Sequence, residues 1–209
     1  MRLKEVLRIV LAYLMQLLIF VLVVISFINK DYIAVLWGVV ALIITLIPLM
    51  LKKRWNITLP WTLNLLIFIF VFLHFWGFFS DWYYTLWPIY DKFGHFVGSF
   101  TIALLGFALV LIVDRYTKVE LTNKSIIFFV VIFSLAIGAL WEISEFTSDK
   151  ILGTHSQMGL DDTMIDMLLN LAGGIVAGGI AYFKLRKGKE RFIDRLLKTM
   201  KMKVRVRVR

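Results

Sequence analysis

The sequence predicts an all-α integral membrane protein of about six transmembrane helices in one bundle, and three observations predict it. Hydrophobic residues make up 60% of the 209 and charged residues 18%, the balance of a chain dissolved in lipid rather than water. Long apolar runs of about 20 residues, enough to cross a bilayer, recur along almost the whole chain and leave no stretch for a separate soluble domain. When these runs are threaded alternately through a membrane, 21 of the 24 Lys and Arg residues fall on one side.

Six spans follow in order: Leu7–Ile28, Tyr32–Leu51, Leu59–Phe79, Phe93–Val113, Ser125–Phe146 and Thr163–Phe183. They form a polytopic domain over 1–183, followed by a basic tail over 184–209. The first span sits behind Arg2, Lys4 and Arg8, as a signal peptide would. Its apolar run is long and no small-residue cleavage site follows, so it reads as a retained helix. Lys52, Lys53 and Arg54 close the second span. The third runs toward His74 and Asp81 in a region crowded by Trp76, Trp82, Tyr83, Tyr84, Trp87 and Tyr90, as expected of an interfacial aromatic belt. Asp91, His95 and Ser99 open the fourth as an i, i+4, i+8 stripe, and Arg115, Lys118 and Lys124 lie in the connection beyond it.

The fifth and sixth spans meet in the stretch 141–170, WEISEFTSDKILGTHSQMGLDDTMIDMLLN, the most informative part of the chain. Glu142, Glu145 and Asp149 share one helix face, and Asp162, Asp166 and Asn170 share another, so two acidic stripes can face each other. A carboxylate near a bilayer centre costs roughly 2.5–3.5 kcal/mol, so such groups must be paired, protonated, metal-bound or facing water. Small residues in the sixth span, Ala172 to Gly179, allow another helix to approach closely. Packing within one chain is the better reading of that face, with a homodimer as the alternative.

The charge asymmetry puts both termini in the cytoplasm, the chain in the cell membrane and the acidic stretch on the outer face. The net charge of +10 is concentrated in the tail beside a span, which points to anionic lipid of the inner leaflet and away from nucleic acid. Phe192, Ile193, Leu196 and Leu197, grouped among cations, predict an amphipathic helix there, and the terminal VRVRVR alternates with period two. Cysteine is absent, which excludes disulfides, thiolate ligands and cysteine nucleophiles.

Three roles suit the polar constellation. As a metal site, His95, Glu142, Glu145, Asp162 and Asp166 supply the ligands for Mg²⁺, Mn²⁺ or Zn²⁺. As a catalytic site, Asp91, His95, Glu142, Glu145 and Asp166 supply acid, base or ligand chemistry, with Lys92, His155, Asp161 and Asn170 around the substrate. As structural glue, protonated acids with Lys92 and Lys150 as counter-ions hold the helices in register. His155 lies in a loop and reads more readily as a solvated histidine than as a ligand. Asn170, two helical turns from Asp162, reads more readily as an inter-helix group.

The pattern Asp91-Lys92-x-x-His95, Trp141-Glu142-x-x-Glu145 and Asp161-Asp162-x3-Asp166-x3-Asn170-x2-Gly173 resembles the VanZ-like membrane proteins. It is still more similar to the YjdF-type inner-membrane proteins, through Tyr90 to Phe96, Trp141 to Glu145, Leu152-Gly153-Thr154, Asp162-Thr163 and Asp166-Met167. The likeness covers roughly residues 60–183, and the chain departs from it at His155 to Leu160. With the residues, it leads to the expectation of an outward-facing site that binds a divalent cation and, through it, an anionic lipid or lipid-linked headgroup, with hydrolysis left open. A proton- or ion-coupled transporter is the main alternative. Acids confined to one membrane face weigh against it, because a transport path needs polar groups at the midplane.

Overall fold

The computed structural model describes residues 3–80 and 82–202. Arg2, Asp81 and the terminal VRVRVR lie outside the described residues. Among the described residues the chain is helical throughout, with no β-strand: α1 Leu3–Ile28, α2 Tyr32–Trp55, α3 Trp61–Phe79, α4 Trp82–Thr85, α5 Ile89–Tyr116, α6 Asn123–Leu152, α7 Leu160–Arg186 and α8 Lys189–Thr199. Four of these, α2, α5, α6 and α7, are long and apolar enough to cross a membrane, and two shorter apolar stretches occur at Tyr13–Ile28 and Trp61–Gly77. Phe128, Leu140, Leu168 and Phe183 are each more than half exposed on these helices. A water-soluble domain would not leave so much continuous apolar surface uncovered. An all-α membrane protein is therefore what the structure supports.

All the spanning helices but the third overrun the predicted spans, and local chemistry stops their ends. Asp31 caps α2 by accepting from the Ala34 amide at 3.0 Å, and Asn56 ends that helix in the left-handed region. Thr122 caps α6 in the same way through the Ser125 amide at 3.1 Å, while Gly153, at φ 68°, ends it where a side chain would be strained. The third helix starts just after Pro60, two residues inside the predicted span.

The described residues form two compact units, one of residues 3–91 with 199–202 and the other of residues 92–198. In the first, α2 buries Ala34, Gly38, Ala41 and Thr45 along one stripe. A Cβ on Gly38 would lie 2.3 Å from Val23 of α1 and 2.8 Å from Phe75 of α3, so the three helices meet there on hydrogen alone. Gln16 donates to the Thr45 carbonyl at 3.1 Å.

The second unit is built on α5, α6 and α7. On α6 the buried stripe runs Ile126, Val130, Ser134, Gly138, Glu142, Glu145; on α7 it runs Asp162, Asp166, Asn170, Gly173, Gly174, Ala177. Both stripes pass from carboxylates at one end, through small residues, to apolar packing at the other. A Cβ on Gly173 would meet the Phe100 nitrogen and Phe96 carbonyl of α5 at 2.8 and 2.9 Å, which are backbone atoms that cannot swing away. Close approach at Gly173 and Gly174 is thus within one chain, the better of the two readings of the small-residue face.

Candidate functional site

At one end of the second unit the start of α5, the end of α6 and the start of α7 converge. The helical period on each brings its polar residues inward: His95 from α5, Glu142 and Glu145 from α6, Asp162 and Asp166 from α7, every one of them buried. Asp91 is buried too, on the first turn of α5 and one turn before His95.

The His95 imidazole stands between two carboxylates. Its Nδ1 lies 3.7 Å from Glu142 Oε1 and its Nε2 3.9 Å from Asp166 Oδ2. Both separations exceed a hydrogen bond. Either one fits two ligands of a single ion, since atoms each about 2.0–2.5 Å from a metal stand up to about 4–5 Å apart, and an imidazole gives such an ion only one of its nitrogens. One atom from each of His95, Glu142 and Asp166 lies within 4.8 Å of the others, so this buried group can hold a metal ion. An imidazole bound through one nitrogen, with its second nitrogen facing a carboxylate, is a common way of fixing a metal-binding histidine.

Lys92 brings a cation to the same place. Its ammonium bonds Asp162 Oδ1 and lies 2.8 Å from Asp166 Oδ1 and 2.9 Å from Oδ2. Asp166 therefore faces both Lys92 and His95. Glu145 accepts from the Trp141 indole at 2.9 Å, one turn back on its own helix.

The remaining predicted residues separate into other roles. Asp149 does not join the cluster; it accepts from Thr154 Oγ1 at 2.6 Å and from the Ser156 and Gln157 amides at 2.8 and 2.9 Å, which holds the α6–α7 loop. Asp162 receives the Met158 amide on its second oxygen at 3.1 Å, so it ties that loop to Lys92. With the loop backbone directed inward, His155 is exposed, as is Asp161, one position off the buried stripe of α7. Both were expected around a substrate, and both lie at the surface, outside the buried set. Lys150, expected as a counter-ion, instead sits 5.6 Å over the Phe146 ring. Asn170 is an inter-helix group, packed against Gly138, with its backbone carbonyl 3.4 Å from Ser134 Oγ. His74 packs in the first unit between Trp37 and Phe70, with ring centroids 6.1 and 6.3 Å away.

The sequence reading missed Ser134, which is fully buried and donates to the Ser99 carbonyl at 2.8 Å. Its signal was the four-residue spacing Ser134, Gly138, Glu142. It also missed the pairs at the other end of the unit. Asp114 receives the Leu121 amide at 2.9 Å and pairs with Lys189 at 2.8 Å; Arg115 pairs with Asp194 at 2.6 Å and Glu190 at 3.0 Å.

Apolar helices of membrane-crossing length around a buried His and carboxylate cluster define the class: a polytopic α-helical membrane protein with a polar site at one end of a helix bundle. The chain belongs to the family described as "Predicted membrane protein (DUF2238)", whose model matches residues 10–187. It is also 34% identical over 139 residues to an "Uncharacterized protein" of Thermotoga maritima, an alignment covering 66% of this chain and 70% of the relative. No solved structure gives a significant match.

Proposed function

We propose that this chain is a six-span cell-membrane protein of the VanZ-like and YjdF-type kind, with both termini cytoplasmic, that binds a divalent cation at the outer membrane face. The observation that carries the reading is the convergence of His95, Glu142 and Asp166 from three helices, with ligating atoms within 4.8 Å. Buried carboxylates outnumber the cations beside them, and like charges this close demand a proton or a cation. One nitrogen with several oxygens suits Mg²⁺, Mn²⁺ or Zn²⁺. Such an ion is also the means by which an anionic lipid or lipid-linked headgroup meets a site whose own walls repel it.

A second reading has support of its own. The Lys92 ammonium already sits on Asp162 and Asp166 and supplies part of the missing positive charge, as structural glue requires. Thermal melting of purified protein separates the two. A cation that binds the folded site stabilises it by RT ln(1 + [L]/Kd), about 2.7 kcal/mol at a hundredfold excess over Kd. We expect one of Mg²⁺, Mn²⁺ or Zn²⁺ to raise Tm relative to chelator, and His95→Ala and Glu142→Gln to abolish that rise while remaining folded. Unchanged melting with all three ions, together with metal-free elemental analysis, leaves the glue reading in possession.

A further inference from the structure

The predicted amphipathic helix of the tail exists, but its apolar side is not available to lipid. Ile193 and Leu197 of α8 are 1% and 0% exposed, and Phe192 stacks on Phe107 of α5 with centroids 5.6 Å apart and planes at 11°. At about 100° per residue these positions define one side of α8. Glu190 and Asp194 fall on a flank, where both meet the buried Arg115. Arg191, Arg195 and Lys198 form a stripe on the side opposite Ile193 and Leu197, and all three are exposed. Lys184, Arg186 and Lys187, also exposed, lead into α8 from the end of α7.

We infer that α8 is a docked cationic platform that binds the surface of an anionic lipid bilayer through charge, with its apolar side kept on the protein. Depth supports this. Arg115 follows His95 by 20 residues of continuous helix, roughly 30 Å at 1.5 Å per residue, which is the thickness of a bilayer hydrocarbon core. The polar cluster and the α8 attachment therefore mark two levels one hydrocarbon thickness apart, and the platform lies at headgroup depth. Arg115 takes both acids of α8, so Arg191 and Lys198 on the outward side, with Lys184, Arg186 and Lys187, meet the headgroups as cations. Charge complementarity then selects anionic lipid, with an attraction worth roughly a fivefold preference per cation at low salt. This inference is independent of the metal site.

The test is lipid selectivity of the full chain, reconstituted in phosphatidylcholine and probed with spin-labelled phosphatidylglycerol against spin-labelled phosphatidylcholine. The wild type should immobilise phosphatidylglycerol at least fivefold more strongly. That preference should fall severalfold in a K184Q/R186Q/K187Q/R191Q/K198Q variant compared with the wild type, and toward one in the wild type at 1 M salt. The milder R191Q/K198Q pair should give an intermediate value and guards against misfolding of the larger variant. Residues 203–209 stay unchanged throughout, so their own attraction cancels. Inorganic phosphate at equal ionic strength should compete no better than chloride. Selectivity that survives the five substitutions, or that is lost in K52Q/K53Q/R54Q instead, overturns the proposal.

Discussion

The two ends of the α5–α7 unit use the same side chains to opposite effect. At one end Glu142, Glu145, Asp162 and Asp166 are buried, and the Lys92 ammonium pairs with the two aspartates. At the other, Glu190 and Asp194 are more than and about half exposed, and they share the guanidinium of Arg115. Water or headgroups can neutralise the second set. The first set, buried in the protein, depends on its neighbours for that, which makes every proton, ammonium or metal there part of the fold's energetics. Burial, more than the number of charges, marks where function and stability are coupled in this unit.

The sharpest way to break this comparison is to remove Asp166, which is 1% exposed and faces both Lys92 and His95. Asp166→Ala takes one carboxylate away from the Lys92 ammonium, and truncating one member of a buried pair costs about 3–5 kcal/mol. Denaturation in detergent should register a loss of that order. Replacing the set together, as Lys92→Met with Asp166→Leu and Asp162→Asn, should recover most of it, because the ammonium and both carboxylates it pairs with are then removed at once. Recovered stability with no metal response would separate the site's function from its structural role. A combined variant as unstable as the single one would show that Asp166 is tied mainly to His95.

A smaller effect is expected at Asp149, which looked in the sequence like a third member of the acidic stripe on α6. Position in the helix was legible; the partner was not. The i, i+3, i+7 spacing brings Glu142, Glu145 and Asp149 near one face, but Asp149 sits in the last turn, where the chain bends into the loop and offers two backbone amides. A carboxylate at such an end accepts from its own loop before it reaches a neighbouring helix. Asp149→Ala removes three hydrogen bonds of about 0.5–1.5 kcal/mol net each, less whatever water restores. The expected loss is about 1–3 kcal/mol, with faster amide exchange at Ser156 and Gln157 and an unaltered metal response. Loss of that response would place Asp149 back in the site.

Helix existence and the inward face of each helix were readable because they follow from one period and from apolar content. The inward placement of His95, Glu142, Glu145, Asp162 and Asp166 was readable, since polar groups on an otherwise apolar helix stand out in composition alone. Gly138, Gly173 and Ser134 carry the crossings between helices, and their roles depend on which residue of another helix lies opposite. Spacing within one helix does not contain that. The same holds for Asp114 and Arg115, which read as ordinary flanking charges until α8 supplies Lys189, Glu190 and Asp194 from more than 70 residues away.

Asp194→Asn should give the smallest effect, and it tests the other half of the comparison. Asp194 is 50% exposed and only 2.6 Å from Arg115 Nη2, so by distance alone the pair ranks among the shortest in the chain. Distance is the wrong guide here. A half-exposed carboxylate keeps much of its hydration, and Glu190, 3.0 Å away and 59% exposed, remains to satisfy the guanidinium. Exposed pairs contribute about 0–1 kcal/mol, and salt screens them. The substitution should therefore cost under about 1 kcal/mol, and raising the salt should shrink even that difference. Asn also keeps an oxygen that can accept from Arg115, whereas Asp194→Ala does not, so the two variants should differ by no more than one hydrogen bond. A loss at Asp194 as large as that at Asp166 would mean that α8 is buried against a further surface, and that the two ends of the unit are equally dry.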